Sequence, residues 1–233
     1  MKKIIIALSC YLISTVVTAQ MKVPSLIITG GVNLANITES AGGKVDDAKT
    51  LTSFHAGLLV DIPFKAGFAF QPGLLKSGKG SKVQDGNPAD NNYYKATINP
   101  IYIEMPLNFV GSIRLPGNAA IILGAGPYVA MGVAGKNKVE GKYLGVGFKS
   151  ENSIDFSNDN PTTLNYEEDA GIGKMKRFDV GANLLGGIEI GKIMLRANYG
   201  LGFNKINSGG DNNADNKNKN RVLGLSLGVK LYV

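Results

Sequence analysis

Cysteine, histidine and tryptophan are nearly missing from this chain of 233 residues, which has one cysteine, one histidine and no tryptophan. Cys10 lies inside an N-terminal segment with the features of an export signal. Removal of that segment leaves no cysteine, which excludes disulfides, thiolate catalysis and cysteine-ligated metals. His55, the single histidine, leaves histidine-based catalysis only one possible centre.

Long hydrophobic runs are also missing from most of the chain. After the first twenty residues, no stretch approaches the roughly 20 apolar residues that a membrane-spanning helix needs. The N-terminal segment begins with two lysines, continues with the apolar residues 4–17 and ends in the small residues 17–19. This order predicts a cleaved signal peptide over residues 1–19 and a single exported domain over residues 20–233.

The basic residues are scattered along the chain. The formal net charge is +7, but the basic residues do not form the clusters with interleaved aromatics that nucleic-acid binding requires. Glycine, by contrast, is abundant: 31 residues recur within apolar stretches, where they would weaken helices. We therefore expect a β-protein that does not bind nucleic acid.

The main positive feature is a hydrophobic period of two residues. From Leu223 to Val233 every odd position is Leu or Val, while the even positions include Gly224, Ser226 and Lys230. An amphipathic helix would space its apolar residues by three and four, so the alternation predicts a strand. The same period predicts eight strands, at about residues 26–36, 53–62, 67–71, 101–109, 121–129, 178–190, 193–204 and 223–233.

The connections between these strands alternate in length. The short ones are 63–65, 114–118 and 190–192, and the long polar ones are about 37–50, 78–93, 134–176 and 205–220. Outer-membrane barrels alternate short periplasmic turns with longer external loops. Each predicted strand has one apolar face, and its other face carries glycine, asparagine and isolated charges. A soluble barrel or sandwich would turn the apolar face inward. An apolar face that points outward requires an apolar solvent around the barrel. We predict an all-β, eight-stranded, antiparallel up-and-down transmembrane β-barrel in the outer membrane, with both termini in the periplasm.

Several stretches of the mature chain resemble the PorT-like outer-membrane β-barrel family of Bacteroidetes. They are GGVNLAN (30–36), FHAGL (54–58), FQPGLL (70–75), YIEMPL (102–107), GAGPY (124–128), FDVG (178–181) and YGLGF (199–203). The resemblance implies an eight-stranded barrel, and one member of that family is tied to the type IX secretion system. The chain departs from the aromatic C-terminal residue common in outer-membrane barrels, because it ends in Val233.

Motifs for catalysis or cofactor binding are incomplete. The segment 73–81 approaches a phosphate-binding loop but has Gly80 where Ser or Thr must ligate magnesium. The segment 211–222 begins like a calcium loop but has Asn216 in place of glycine and Val222 in place of glutamate. We expect His55 to be a barrel-interior histidine bonded to its neighbours. We therefore predict no catalytic residue, no metal and no cofactor, and a barrel enzyme is the least favoured function.

The alternation also turns isolated charges toward the interior of the barrel. Glu104 and Arg196 lie on strands that stand on opposite sides of an eight-stranded barrel. Because a lone buried charge is costly unless paired, we predict that they share one ion network. Asp61, Glu189 and Lys230 would join this network toward the periplasmic end.

The expected function is a structural or binding role in the outer membrane, carried by the external loops. The loop at 134–176 is the largest candidate surface, long enough to be functional by itself. The expected partners are membrane lipid and lipopolysaccharide, with a protein or other ligand at the loops. A small-solute channel is an alternative, although eight strands leave an interior only wide enough for side chains. A part in secretion is the other alternative.

Overall fold

The computed structural model describes residues 23–38, 48–156, 174–204 and 219–232, so the predicted signal peptide and parts of three predicted loops lie outside the described residues. The described residues form twelve strands. They are β1 Ser25–Thr38, β2 Ala48–Lys65, β3 Phe68–Gly78, β4 Ser81–Asp85, β5 Tyr93–Leu115, β6 Ala119–Tyr143, β7 Val146–Ser153, β8 Asp155–Phe156, β9 Lys174–Met175, β10 Phe178–Ile190, β11 Ile193–Gly202 and β12 Lys219–Tyr232.

Eight of these strands close into a ring. Antiparallel pairing runs through β1, β2, β3, β5, β6, β10, β11 and β12, and β12 pairs again with β1 from Ser25–Tyr232 to Thr38–Lys219. β4 follows β3 after a two-residue break and continues the same position in the wall, between β2 and β5. The predicted eight-stranded antiparallel barrel is therefore confirmed.

The two ends of the barrel differ in the length of their strand connections. At one end β2 and β3 are joined by residues 66–67, β5 and β6 by residues 116–118, and β10 and β11 by residues 191–192. Ser25 and Tyr232 pair with each other at this same end. We call it the short-turn end and the opposite one the long-loop end.

Two of the predicted long loops contain regular strand. In the predicted 78–93 loop, residues 81–85 form β4, and β5 begins at Tyr93. In the predicted 134–176 loop, β6 continues to Tyr143 and returns as β7 from Val146 to Ser153. These segments carry polar residues on both faces, so they lack the one-sided apolar alternation on which the strand prediction rested.

The apolar faces of the strands point away from the barrel axis. In β12, Leu227 is 57% exposed, while the neighbouring Ser226 and Lys230 are buried. The outward positions of β6 run without a charged residue from Ile121 to Val133. At about 3.3 Å per residue and a tilt near 40°, this stretch is roughly 30 Å tall, close to the ~25 Å apolar band of outer-membrane barrels. Water would be a poor solvent for this surface.

Among the described residues, no helix is long and apolar enough to cross a membrane.

Inward-facing glycines allow the small barrel to close tightly. A Cβ atom on Gly31 would lie 1.9 Å from the Leu225 carbonyl oxygen of the neighbouring strand. A Cβ on Gly57 or on Gly126 would lie 2.1 Å from the carbonyl oxygen of Leu74 or of Leu107. Real Cβ atoms do not approach so closely, so these positions admit only glycine unless the wall moves. This close approach explains the glycines on the polar faces of the strands.

We expect Gly31→Ala to lower the free energy of unfolding by about 1–3 kcal/mol, the usual cost of overpacking a filled interior. Gly30 is the matched control, because its Cβ would meet its nearest neighbour, the His55 carbonyl oxygen, at an ordinary 3.5 Å. Gly30→Ala should change the stability by less than about 0.5 kcal/mol. Urea titration of vesicle-embedded barrel, followed by the gel mobility of unheated samples, measures both. Equal destabilisation by the two variants would contradict the close-approach argument.

Candidate functional site

A buried lysine forms the centre of the barrel interior near the long-loop end. Lys79 lies in the break between β3 and β4 and continues the inward-facing series of Gln71, Leu75 and Ser77. Its backbone N–H donates to the Pro100 carbonyl at 3.0 Å, which fixes the break against β5. The side chain is only 3% exposed. An ammonium group this deeply buried is tolerated only with charge partners.

Two carboxylates and an aromatic ring surround this ammonium group. The Lys79 Nζ atom lies 2.7 Å from Glu104 Oε2 and 3.1 Å from Asp179 Oδ2. It also lies 3.9 Å from the centre of the Tyr128 ring, within range of a cation–π interaction. Tyr128 and Asn220 each donate a hydrogen bond to Asp179 Oδ2, at 3.1 and 3.0 Å. We call Lys79, Glu104, Asp179, Tyr128 and Asn220 the upper cluster.

A second set of charges lies toward the short-turn end. The Lys230 Nζ atom is 3.0 Å from both Asp61 Oδ2 and Glu189 Oε2. Gln71 donates to Asp61 Oδ1 at 2.7 Å and accepts a hydrogen bond from Arg196 Nη2 at 2.9 Å. Arg196 therefore reaches Asp61 through a neutral amide. We call Asp61, Gln71, Glu189, Arg196 and Lys230 the lower cluster.

The predicted ion network is corrected by these contacts. Of its five members, Asp61, Glu189, Lys230 and Arg196 do come together, as the lower cluster. Glu104 instead pairs with Lys79 in the upper cluster. The reason is that Lys79, which sequence reasoning placed at the start of a loop, adds one more inward-facing position just beyond the end of β3. Its charge is closer to Glu104 than the predicted partner.

His55 lies in the barrel interior between the two clusters. Its ring nitrogens lie 2.7 Å from Asn33 Oδ1 and 2.9 Å from Ser226 Oγ. Neither contact is to a carboxylate that could orient the ring as a general base. The expectation of an interior histidine bonded to its neighbours is confirmed. In the described ranges, no group of three or more His, Cys, Asp or Glu side chains is arranged to hold a metal ion.

Side chains fill most of the remaining interior. The cavity lined by His55, Lys79, Glu104 and Arg196 has a volume of about 50 Å³, room for one or two water molecules. Toward the short-turn end, an apolar layer fills the space around the lower cluster. It consists of Ile27, Leu59, Val110, Ile122, Leu185 and Met194.

An apolar cap covers the interior at the long-loop end. Ile154, Phe156 and Met175 come from the segments around the short parallel strands β8 and β9, and they pack with Ile37 and Ile98. The Phe156 ring also meets Tyr102 of the barrel wall edge to face, with 5.8 Å between centroids. The cap therefore closes the interior immediately above the upper cluster.

Beyond the barrel, four strands continue as a separate feature. This projecting sheet consists of β4, residues 93–100 of β5, residues 134–143 of β6, and β7. Lys136 and Lys138 lie 2.6 and 3.0 Å from the Glu151 carboxylate, and their hydrogen bonds lower the pKa of Glu151 to about 2. Lys95 pairs with Glu140 in the same way. These pairs link neighbouring strands on the exposed face of the sheet.

The tip of the projecting sheet exposes large apolar side chains. Tyr143, Leu144 and Val146 are about 70% exposed, at 68, 73 and 72%. Leu144 and Gly145 form the two-residue turn, with φ angles of 50° and 82°. Positive φ at both positions is typical of the hairpin turn that favours Asn-Gly, and a leucine there is strained.

The neighbouring connection holds this tip in place. The Leu144 N–H donates to Asn92 Oδ1 at 3.1 Å, and the Gly145 N–H donates to the Asn91 carbonyl at 3.0 Å. Lys142 donates to the Pro88 carbonyl at 2.8 Å. The apolar side chains are therefore presented on an ordered backbone.

Sequence reasoning missed both Lys79 and the cap. A signal for Lys79 was available, because the alternation through Gln71, Leu75 and Ser77 continues to it. The cap residues Ile154, Phe156 and Met175 are isolated apolar residues in a polar segment and carry no periodic signal.

A closed barrel with an apolar outer wall and paired interior charges defines an integral outer-membrane protein. The profile described as "Outer membrane protein beta-barrel domain" matches residues 25–208, and the chain belongs to this family. No curated protein matches the sequence.

Solved structures of outer-membrane proteins resemble the chain at low sequence identity. Neisserial surface protein A (NspA) is 13% identical, with a TM-score of 0.41, and the match covers 91% of this chain and 100% of that one. Ail, the attachment invasion locus protein of Yersinia pestis, in complex with the heparin analogue sucrose octasulfate, is 11% identical, with a TM-score of 0.40, covering 90% and 100%. A second Ail structure is 14% identical, with a TM-score of 0.38, covering 91% and 100%.

Removing the buried lysine should destabilise the barrel strongly. We expect Lys79→Met to cost about 3–5 kcal/mol, because two buried carboxylates lose their cation. Lys76→Met, three residues earlier at an exposed position of β3, should cost less than about 0.5 kcal/mol. The free energy of unfolding in vesicles measures both.

A double-mutant cycle then tests the division into two clusters. The cycle between Lys79→Met and Glu104→Gln should give a coupling energy of about 1–3 kcal/mol, whereas Glu104→Gln and Arg196→Met should be nearly additive. The reverse order of couplings would restore the single network.

Proposed function

We propose that this protein is a closed outer-membrane barrel that acts through its long-loop end as a binding protein, with the tip of the projecting sheet as the contact surface. The observation that carries the proposal is the contrast between the two parts. The interior is packed around paired charges and has a cavity of about 50 Å³. The tip presents three large apolar side chains to solvent on an ordered backbone.

The strained turn supports a role for the tip. A bulky residue in the left-handed region costs about 1 kcal/mol or more, and such strain is concentrated at functional positions. Asn or Gly at position 144 would relieve the strain and remove the exposed apolar surface. Leu144 is explained if its side chain contacts a partner. We place the long-loop end outside the cell and both termini in the periplasm, because external loops are the longer ones in outer-membrane barrels.

Two alternative functions are compared with this proposal, a small-solute channel and a part in secretion. A small-solute channel would need a passage through the interior, and eight strands leave little space for one. An accessory part in secretion, which the resemblance to PorT-like proteins suggests, would act through the same exposed surface and does not need a different barrel. Lipopolysaccharide is the expected lipid partner around the outer rim, where Lys76 and Arg177 are exposed.

The contact surface can be tested by photo-cross-linking in intact cells of the natural host. A photoreactive amino acid at position 144 should give a discrete adduct, because the tip is in contact with its partner. The same amino acid at position 192, in a turn of the short-turn end, is the control and should not give that adduct. Identical adduct patterns at 144 and 192 would contradict the proposal, as would stable ion conductance of the purified barrel in a planar bilayer.

The orientation can be tested by cysteine labelling, since the chain after the predicted signal has no cysteine. Leu144→Cys should react with a membrane-impermeant maleimide in intact cells, while Lys192→Cys should react only after permeabilisation. Both positions lie outside the apolar band, at opposite ends. Labelling of Lys192→Cys alone in intact cells would invert the orientation without affecting the closed-barrel argument.

A further inference from the structure

A groove crosses the outer wall of the barrel near the short-turn end. Its volume is about 360 Å³. It runs over β5 between two apolar walls, Phe68 on β3 and Leu123 on β6, and Gly111 between them leaves the floor open. Ile113 and Ile121 form its lower part, next to the 66–67 turn. All of these apolar side chains are exposed on the face that lies in the membrane.

The position of the glycine makes the groove a local feature of the wall. Phe68, Gly111 and Leu123 are directly paired across three strands, so their outward faces form one row. A Cβ on Gly111 would meet the Phe68 ring at 3.5 Å, which is ordinary contact. Unlike Gly31, this position has room for a side chain. Gly111 therefore leaves an open notch, and does not serve close packing of the backbone.

A basic residue stands at the lower end of the groove. Lys65 is the β2 partner of Phe68, after a register shift between Pro63 and Lys65, so it lies beside the Phe68 wall of the groove. Lys65 is exposed and lies at the last position of its strand, where a lysine can extend its ammonium group to the level of the lipid headgroups. Arg114 is exposed close by, in the residue after Ile113.

We propose that this groove binds one anionic glycerophospholipid of the inner leaflet, with an acyl chain between Phe68 and Leu123 and its phosphate at Lys65. Two features identify this occupant. The basic Lys65 at the lower end of the groove complements a phosphate, and the groove lies at the level of the acyl chains in the membrane. An acyl chain fits an apolar groove inside the apolar band, and the phosphate group of the same lipid lies at the depth of the strand ends. The choice of the inner leaflet rests on the orientation proposed above.

The direct test is lipid retention by the purified barrel in mild detergent, measured by native mass spectrometry with added phosphatidylglycerol. Wild-type protein should retain one phosphatidylglycerol, and diacylglycerol with the same chains should be retained at least fivefold less. Lys65→Gln should weaken retention about fivefold, the effect of one basic residue at an anionic lipid surface. Gly111→Leu, which fills the groove, should reduce retention at least tenfold.

Gly30→Leu is the matched control, since it adds the same side chain at an outward position whose nearest atom lies 3.5 Å away. It should retain phosphatidylglycerol as the wild type does. Gel mobility of unheated samples shows that each variant is folded. Equal retention by Gly111→Leu and the wild type would overturn the proposal, and so would equal retention of diacylglycerol.

A second measurement needs no variant and remains informative if Gly111→Leu fails to fold. A photoreactive phosphatidylglycerol with its diazirine in the acyl chain should label residues 66–68 and 111–123 of the wild-type barrel in vesicles. Labelling distributed evenly around the circumference would overturn the proposal. Preferential displacement by lipid A would reject the inner-leaflet phospholipid as the occupant. The cross-linking experiment at position 144 is independent of these outcomes.

Discussion

The pairing of β12 with β1 is the constraint on which the rest of the structure depends. Without it, two strands would each present a row of unpaired N–H and C=O groups to the hydrocarbon of the membrane, where each unsatisfied group costs several kcal/mol. With it, the wall has no edge and its outer face can be apolar throughout the band. Closure at eight strands also limits the interior to the width of side chains, and the inward glycines are needed because neighbouring backbones approach so closely.

Buried charges in this narrow interior lie in hydrogen-bonded groups. The upper cluster places one lysine between two carboxylates, and the lower cluster inserts the Gln71 amide between Arg196 and Asp61. An apolar layer and an apolar cap fill the remaining volume. Side chains thus fill the barrel interior as they fill the core of a soluble protein, but this interior also contains two clusters of buried charges. The proposed binding function accordingly uses a surface outside the barrel.

The barrel itself could be predicted from the sequence because the membrane imposes a one-sided pattern. Leu223 to Val233 alternates apolar and polar residues since one face contacts lipid and the other the interior. The alternation of apolar and polar residues is lost where the strands extend beyond the membrane, because neither face contacts lipid there. Residues 134–143 lie beyond the apolar band and neither of their faces contacts lipid, so nothing in their hydropathy distinguishes a strand from a loop. Pairing among interior charges was less predictable, because it depends on which side chains reach the same depth, as Lys79 and Glu104 do.

The two charge clusters also bear on how the barrel can assemble. Lys230 is on the last strand, and its partners Asp61 and Glu189 are on the second and the sixth of the eight. No contiguous hairpin contains all three, so the lower cluster is incomplete until the sheet curls and its first and last strands meet. Until then its charges must remain hydrated. Final sealing of the seam therefore coincides with expulsion of water from the interior, and a partly closed intermediate has no dry core to stabilise it.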